Sequence, residues 1–163
     1  MRMRTDQKLV ILLAEDDGND AEIFTHALAK SGVEAKLHIV GDGEEVMDYL
    51  QGRGKFRNRR AHPFPDIIVL DLKMPRVNGL ELLEWLGKSP QYGRLPKIML
   101  SGSGLQDDVE HAYRLGVNTY FTKPFRMEKL QELLRTLIEY WSKSERPEHR
   151  SHERQERRPA AKS

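Results

Sequence analysis

The sequence predicts an α/β protein, a doubly wound five-stranded parallel sheet with helices on both faces. Five short segments rich in Val, Ile and Leu alternate with five segments whose apolar residues recur every three or four positions. Polar residues directly follow four of the five predicted strands. Strands that alternate with helices run parallel, because a right-handed crossover returns each new strand in the same direction.

The first two strand–helix units are defined by apolar runs and by the turn residues that end them. Residues 8–14 predict the first strand, and helical spacing predicts a helix from about Asn19 to Ser31. Residues 37–40 predict a short second strand that ends in a glycine-containing turn. The second helix then extends to about Gly52.

The third strand is the central one. Residues 67–70 are four consecutive apolar residues, a pattern typical of a strand that is buried on both faces. The strand ends on Asp71, and Pro75 stops it before Asn78 and Gly79 turn the chain into a helix. Since ligands bind at the carboxyl ends of strands in open α/β sheets, Asp71 is a candidate functional residue.

The last units follow the same alternation. The third helix is predicted at about residues 80–89, and the fourth strand at residues 97–100. A fourth helix is predicted at about residues 106–115 and a fifth strand at residues 117–122. The last helix, at residues 127–141, has the longest apolar stripe of the chain.

Three acidic residues follow the first predicted strand. Glu15, Asp16 and Asp17 repel one another unless a cation neutralises them, and a cluster of carboxylates suits a hard divalent ion such as Mg²⁺. Alternatively, Asp17, Asn19 or Asp20 caps the helix that follows. Capping accounts for one acid of the three, so the sequence also predicts a metal site here.

The fourth and fifth strands end on a hydroxyl and on a cation. Ser101 is followed by Gly102, which fits anion binding as well as a plain turn, and Lys123 is followed by Pro124. Together with Asp71, these strand ends supply a carboxylate nucleophile, a hydroxyl donor and a cation. That set is what in-line phosphoryl transfer to an aspartate requires.

Composition excludes several classes of protein. The chain has 163 residues and no cysteine, so disulfides, thiolate metal sites and thiol catalysis are excluded. No apolar stretch approaches the roughly 20 residues of a membrane span, and we expect a cytoplasmic protein with no membrane association. The net charge of +2 argues against a surface that binds nucleic acid throughout.

The basic residues are concentrated in two segments. Residues 51–65 contain five basic residues and no acid, together with Phe56 and Phe64. This basic loop either binds phosphate or an acidic partner, with the two rings adding contacts, or is a solvated connection. Residues 143–163 have only alanines among hydrophobic residues, so we predict a disordered basic tail after a domain at 8–142.

These residues resemble those of receiver domains of two-component response regulators, which have a flavodoxin-like (βα)5 fold. The acidic pair Glu15–Asp16, the strand-end acid Asp71, Ser101 and the Lys123-Pro124 pair carry the resemblance, and Tyr120 lies three residues before Lys123. The resemblance covers about four fifths of the chain. Within the family, the chain looks most like regulators paired with phytochrome-type and other hybrid histidine kinases.

The resemblance implies a role for each site residue. Asp71 would be the phosphorylated residue, Ser101 and Tyr120 the switch residues, and Lys123 the charge partner of the phosphoryl group. The resemblance also implies a bound Mg²⁺ ion. Its implied ligands are Glu15 through water, Asp16, Asp71 and the Lys73 carbonyl.

Two hypotheses about function follow. The first is a single-domain response regulator, not an enzyme in the usual sense, that accepts a phosphoryl group from a histidine kinase or a phosphotransfer protein and signals by docking or phosphorelay, without a DNA-binding domain. The resemblance also implies a homodimer through the face near Tyr120 and the last helix. The second is a phosphorylation-independent adaptor that binds partners through the basic loop and tail. An aspartate-nucleophile hydrolase is weaker, because Lys73 stands where such enzymes often have a second acid.

Overall fold

The computed structural model describes residues 7–147 and confirms the parallel sheet with helices on both faces. The strands are β1 (Leu9–Ala14), β2 (Ala35–Val40), β3 (Ile67–Leu70), β4 (Lys97–Ser101) and β5 (Thr119–Thr122). The helices are α1 (Gly18–Lys30), α2 (Gly43–Gln51), α3 (Gly79–Lys88), α4 (Gln106–Arg114) and α5 (Met127–Lys143). All five predicted strand–helix units are therefore present.

The order of strands in the sheet is β2-β1-β3-β4-β5, and every pair is parallel. The chain builds outward from β1 to β2 and then returns to β3 on the other side of β1. This reversal opens a crevice between the carboxyl ends of β1 and β3. The polar residues that follow these two strands lie at that crevice.

Alternate residues of the strands pack against two separate helical layers. Leu12 and Ala14 of β1 face the core beneath α2, α3 and α4, whereas Ile11 and Leu13 face α1 and α5. β3 is buried along its whole length, as its unbroken apolar run predicts. The two cores hold the sheet rigid, so the residues at its carboxyl ends are presented from fixed backbone.

Some element boundaries differ from the prediction. β2 begins at Ala35, two residues before the predicted start. β5 begins at Thr119 instead of residue 117, because Asn118 turns back on the start of β4: its side-chain oxygen accepts from the Lys97 amide at 2.8 Å. α5 ends at Lys143, beyond the predicted helix end at 141. Most of the predicted disordered tail, residues 148–163, lies outside the described residues.

The basic loop between α2 and β3 is ordered by its own contacts. It contains a short 3₁₀ turn at Gly54–Phe56. The suggestion that its two rings contact a partner is wrong for Phe56, which is buried in the core. Phe64 is half-buried and stacks on Tyr92, with ring centroids 6.1 Å apart. Both rings pack against the core because this longer connection lies over its edge.

Candidate functional site

The carboxyl ends of β1 and β3 bring the predicted acids together. The Glu15 amide donates to the Val40 carbonyl at 3.0 Å, and the Asp71 amide donates to the Ala14 carbonyl at 3.1 Å. These bonds continue the sheet by one residue past each strand. Glu15 and Asp71 are consequently buried, at 6% and 8% exposure, while Asp16 is exposed.

Lys123 joins the buried acids into one ion cluster. Its Nζ donates to Glu15 Oε2 at 2.7 Å, to Asp20 Oδ2 at 2.8 Å and to Asp71 Oδ2 at 2.9 Å. The side chain comes from the end of β5, two strands from β3, so it crosses above the carboxyl end of β4. Such charge-assisted bonds hold the three carboxylates close together.

Burial and the neighbouring charges shift the pKa values of Glu15 and Lys123 in this cluster. Burial raises the pKa of the Glu15 carboxyl to about 7, a rise that the hydrogen bond from Lys123 opposes and the Asp71 charge reinforces. Burial disfavours the charged form of Lys123, but its hydrogen bonds to Asp20, Asp71 and Glu15 outweigh burial and raise its pKa. Lys123 therefore stays a cation.

The three consecutive acids after β1 have different partners. Asp17 is the N-cap of α1, since its Oδ1 accepts from the amides of Asn19 at 2.8 Å and Asp20 at 3.0 Å. The capping alternative is therefore right for Asp17. The sequence predicts Asp20 only as a cap, and its ion pair with Lys123 is a finding of the structure. Its place in the first turn of the helix that follows the acidic strand end is the signal that could identify it.

Glu15, Asp16 and Asp71 form a set of carboxylates that fits a divalent cation. One oxygen from each lies within 4.8 Å of the others. Mg²⁺ binds through a few carboxylates and keeps several waters, so a partly open cluster of oxygens with one exposed member suits it. The donor set contains no sulfur or nitrogen ligand, which favours a hard ion.

The loop after β3 folds back closely on Asp71. The Lys73 amide approaches Asp71 Oδ1 at 3.4 Å, and the Gly79 amide donates to the Leu72 carbonyl at 2.9 Å. A Cβ on Gly79 would lie 3.0 Å from the Leu72 Cα and closer still to the Asp71 carbonyl. Glycine is required here because α3 starts directly against the strand end.

An ion pair fastens the same loop to the start of α2. Arg76 donates to Asp42 Oδ2 from Nη2 at 2.5 Å and from Nε at 3.0 Å, and Asp42 is buried. Arg76 has a φ of 63°, a conformation unusual for a residue other than glycine. Beside it, the Gly43 amide donates to the Val77 carbonyl at 3.2 Å. The loop that carries Lys73 is therefore anchored at both ends.

The two predicted switch residues both contact the loop that follows β4. Ser101 is buried at the end of β4, and its Oγ accepts from the Ser103 amide at 3.2 Å. The Tyr120 hydroxyl donates to the Ser103 carbonyl at 2.7 Å, so both residues contact the loop that leads to α4. The Tyr120 amide donates to the Tyr113 hydroxyl at 3.3 Å. This geometry links the end of β4 to the outer edge of the sheet.

A groove of about 430 Å³ opens beside the cluster, between α1 and the start of α5. Glu15, Asp20 and Lys123 line its polar end, and the rest is lined mostly by apolar side chains, with Thr122 and Arg126 among them. Phe125 is fully exposed there, and Ile23 is 44% exposed. The site is thus accessible from one side through a largely apolar surface.

The family model of the response regulator receiver domain matches residues 11–135. This range contains the whole cluster of Glu15, Asp16, Asp71 and Lys123. The chain belongs to the response regulator receiver family. The predicted resemblance is confirmed, including the similarity to phytochrome-associated members of the family.

Three relatives indicate the subgroup. Response regulator Rcp1 of Synechocystis sp. is 34% identical over 132 residues, which cover 81% of this chain and 88% of that protein. Response regulator RPA3017 in red light signaling of R. palustris matches with a TM-score of 0.82 at 34% identity, covering 86% of this chain and 99% of that one. The phosphorylated cyanobacterial phytochrome response regulator RcpA matches with a TM-score of 0.78 at 34% identity, over 87% and 100%.

The Rcp1 fold has also been solved in a Mn²⁺-bound form. That structure matches this receiver with a TM-score of 0.74 at 33% identity, over 86% of this chain and 99% of the other.

Within residues 7–147, no helix combines the length and apolar character that crossing a membrane demands. The helices of this receiver are those of the two packed layers.

Proposed function

We propose that this receiver is a phosphoacceptor that takes a phosphoryl group on Asp71 from a phosphohistidine of a histidine kinase or phosphotransfer protein. The observation that carries the proposal is the convergence of two buried carboxylates and the Lys123 cation at one crevice. A carboxylate oxygen of Asp71 forms the new bond to phosphorus as the phosphorus–nitrogen bond of the donor breaks. The electron pair of the broken bond stays on that imidazole nitrogen, and the ring leaves as neutral imidazole because its other nitrogen carries a proton.

The residues at the crevice have different roles in this transfer. Lys123 balances the negative charge of the acceptor and of the incoming phosphoryl oxygens. Glu15, Asp16, Asp71 and the Lys73 carbonyl would hold a divalent cation, for which we propose Mg²⁺. When bound, that ion neutralises phosphoryl oxygens and aligns them with the acceptor. The relative solved with Mn²⁺ supports a divalent ion at a receiver of this type.

We propose that Ser101 and Tyr120 report the modification. A phosphoryl group on Asp71 offers oxygen acceptors beside the Ser101 hydroxyl. A bond to Ser101 would draw the loop of residues 102–105 toward the site and break the Tyr120 contact with the Ser103 carbonyl. The expected result is a changed surface at α4 and β5, which a partner reads.

The phosphodonor and the cellular setting belong to the same proposal. One relative is a phytochrome response regulator and another acts in red light signaling, and both support a phytochrome-type or other hybrid histidine kinase in the cytoplasm as the donor. The groove between α1 and α5 gives such a partner access to Glu15 and Lys123, and Lys123 is hydrogen-bonded to Asp71. Output then occurs by docking or by onward phosphorelay, and the protein is not an enzyme that turns over an external substrate.

A homodimer through α5 is part of this proposal. Tyr140 is 64% exposed near the end of α5, beside the half-buried Trp141. Paired aromatic rings at a helix end are typical of an association surface. The measurement is the light-scattering mass at high concentration with and without a phosphate mimic, and a monomer under both conditions would contradict the dimer.

The test is intact-mass spectrometry after incubation with a small phosphodonor such as acetyl phosphate. Wild type should gain one phosphoryl group in the presence of Mg²⁺ and none after chelation. Asp71→Asn should gain none in either condition. Asp107→Asn, which changes an exposed acid on α4, is the matched control and should behave as wild type.

Three outcomes would contradict the proposal or parts of it. Phosphoryl uptake by Asp71→Asn would assign the acceptor to another residue. Unchanged uptake by Asp16→Asn at limiting Mg²⁺ would remove Asp16 from the metal site. No uptake by wild type with any donor would leave the phosphorylation-independent adaptor as the better hypothesis.

A further inference from the structure

The basic loop and the turn before β4 form a positively charged surface at the amino edge of the sheet. Four arginines of these two segments are exposed, and among residues 7–147 their side chains form no ion pair. They are Arg53, Arg57, Arg60 and Arg94. We call them the four-arginine surface. The whole chain carries only +2, so this concentration of charge is local.

Stacked rings connect the two segments. Phe64 of the loop stacks on Tyr92 of the turn, and Tyr92 stacks on Trp85 with centroids 5.3 Å apart. Arg53 lies close enough to Tyr92 to oppose the rise in the pKa of Tyr92 that burial causes. The two segments therefore pack against each other, which places their arginines at the same end of the sheet.

The backbone beneath the arginines is held in one conformation. Arg59 Nη1 donates to the Tyr49 carbonyl at 2.7 Å and to the Phe56 carbonyl at 3.2 Å. The Tyr49 hydroxyl donates to the Pro63 carbonyl at 2.9 Å. The Asn58 side chain accepts from the amides of Arg60 and Ala61. An ordered backbone lowers the entropy cost of binding, since only side chains need to be fixed.

We propose that the four-arginine surface docks an acidic segment of a partner protein. Guanidinium groups bind carboxylates in a bidentate manner, which fits them to clustered Asp and Glu side chains. A single-stranded nucleic acid is less well matched, because it needs open aromatic faces. Here Phe56 and Tyr92 are buried, and Phe64 and Trp85 are stacked on Tyr92.

The surface is separate from the phosphoacceptor site. The loop enters β3 at its amino end, whereas Asp71 follows its carboxyl end. A partner held here leaves the groove beside Asp71 open to a phosphodonor. The inference therefore goes beyond the proposed phosphoacceptor function and does not depend on it.

The test is fluorescence anisotropy with a labelled decaglutamate peptide at low salt, comparing wild type with Arg57→Gln/Arg60→Gln. Both arginines are exposed, so the fold should persist, and we expect affinity about tenfold weaker. The matched control is Arg114→Gln/Lys129→Gln, which removes the same charge from α4 and α5 and should bind as wild type. Phosphoryl uptake on Asp71 should be unchanged in both variants.

Three results would overturn the inference. The first is no binding of the peptide by wild type at low salt. The second is an equal loss of affinity in the two double variants, which would indicate attraction by net charge alone. The third is tighter binding of a thymidine decanucleotide or of anionic vesicles than of the peptide, which would assign the surface to another class of partner.

Discussion

Two lysines, the half-buried Lys123 and the buried Lys97, lie at opposite ends of the sheet, and their surroundings differ. Lys123 follows β5 at the carboxyl edge and donates to three carboxylates. Lys97 begins β4 at the amino edge and donates to the backbone carbonyls of Gly93 at 2.8 Å and Leu95 at 2.9 Å. Hydrogen bonds to anions raise the pKa of Lys123, whereas burial lowers the pKa of Lys97.

The difference teaches that burial alone does not make a charged residue functional. Both side chains donate hydrogen bonds, but only Lys123 donates to carboxylates, among them the proposed phosphoacceptor Asp71. Lys97 fastens a turn, because neutral carbonyls give it geometry without a counter-charge. A functional cation is thus recognised by converging anions at a strand end that forms a crevice.

The largest expected effect is on phosphoryl uptake in Lys123→Met compared with Lys97→Met. Removal of Lys123 leaves Glu15 and Asp71 repelling one another and the incoming phosphoryl oxygens unbalanced. We expect the rate of uptake to fall roughly 100-fold or more. Lys97→Met should remain within about twofold of wild type, since it lies at the other edge. Time-resolved intact-mass spectrometry measures both, and equal losses would remove the distinction between the two lysines.

The next effect concerns the backbone at the carboxyl edge. A Cβ at Gly79 would press on Leu72 and Asp71, so Gly79→Ala should lower the free energy of unfolding by about 2–3 kcal/mol. Gly87→Ala in the same helix meets nothing closer than 3.8 Å and should raise stability by about 0.5–1 kcal/mol. Urea denaturation compares the two. A Gly79→Ala variant with the same free energy of unfolding as wild type would show that the backbone at this edge can shift and is less rigid than its contacts indicate.

A third prediction concerns the pH dependence that Lys97 causes. Its pKa is lower in the folded chain than in the unfolded chain, so the unfolded state binds more protons in the window between the two values. Wild type should therefore gain stability relative to Lys97→Met as the pH rises from 7 toward about 10. At pH 7 the two should differ by no more than about 1 kcal/mol. Urea denaturation at several pH values measures the free energy of unfolding of both proteins. A loss of wild-type stability relative to Lys97→Met as the pH rises would contradict the prediction.

The smallest effect is expected from His38, whose ring lies 5.9 Å from Tyr49 and 6.3 Å from His62. Burial, helped by the charges of His62 and Lys36, lowers its pKa. Its contribution to stability is present above about pH 6.5 and is lost as the pH falls through the lower folded value. Thermal melts from pH 7 to 5 should show a weaker pH dependence in His38→Gln, whereas the exposed His26→Gln should behave as wild type. The same pH dependence of the melting temperature in wild type, His38→Gln and His26→Gln would contradict this prediction.

Local signals carried most of the fold and part of the site. The four-residue apolar run of β3 predicted a central strand because only a strand covered on both faces tolerates it. Glu15, Asp16, Asp71 and Lys123 were predicted to meet because parallel strands place their carboxyl ends at one edge. Asp17 could equally be a cap or a ligand by sequence, and the cap geometry decided between them.

The sequence by itself determined the alternation of strands and helices and which strand ends carry polar groups. Both follow from short-range periodicity and from the single hand of the crossover. Only the tertiary structure decided the contacts between residues far apart in the chain. Asp20 meets Lys123 across 103 positions, and Asp42 meets Arg76 across 34. Phe56 is buried for the same reason, because a loop residue's surroundings depend on which elements pack beside it.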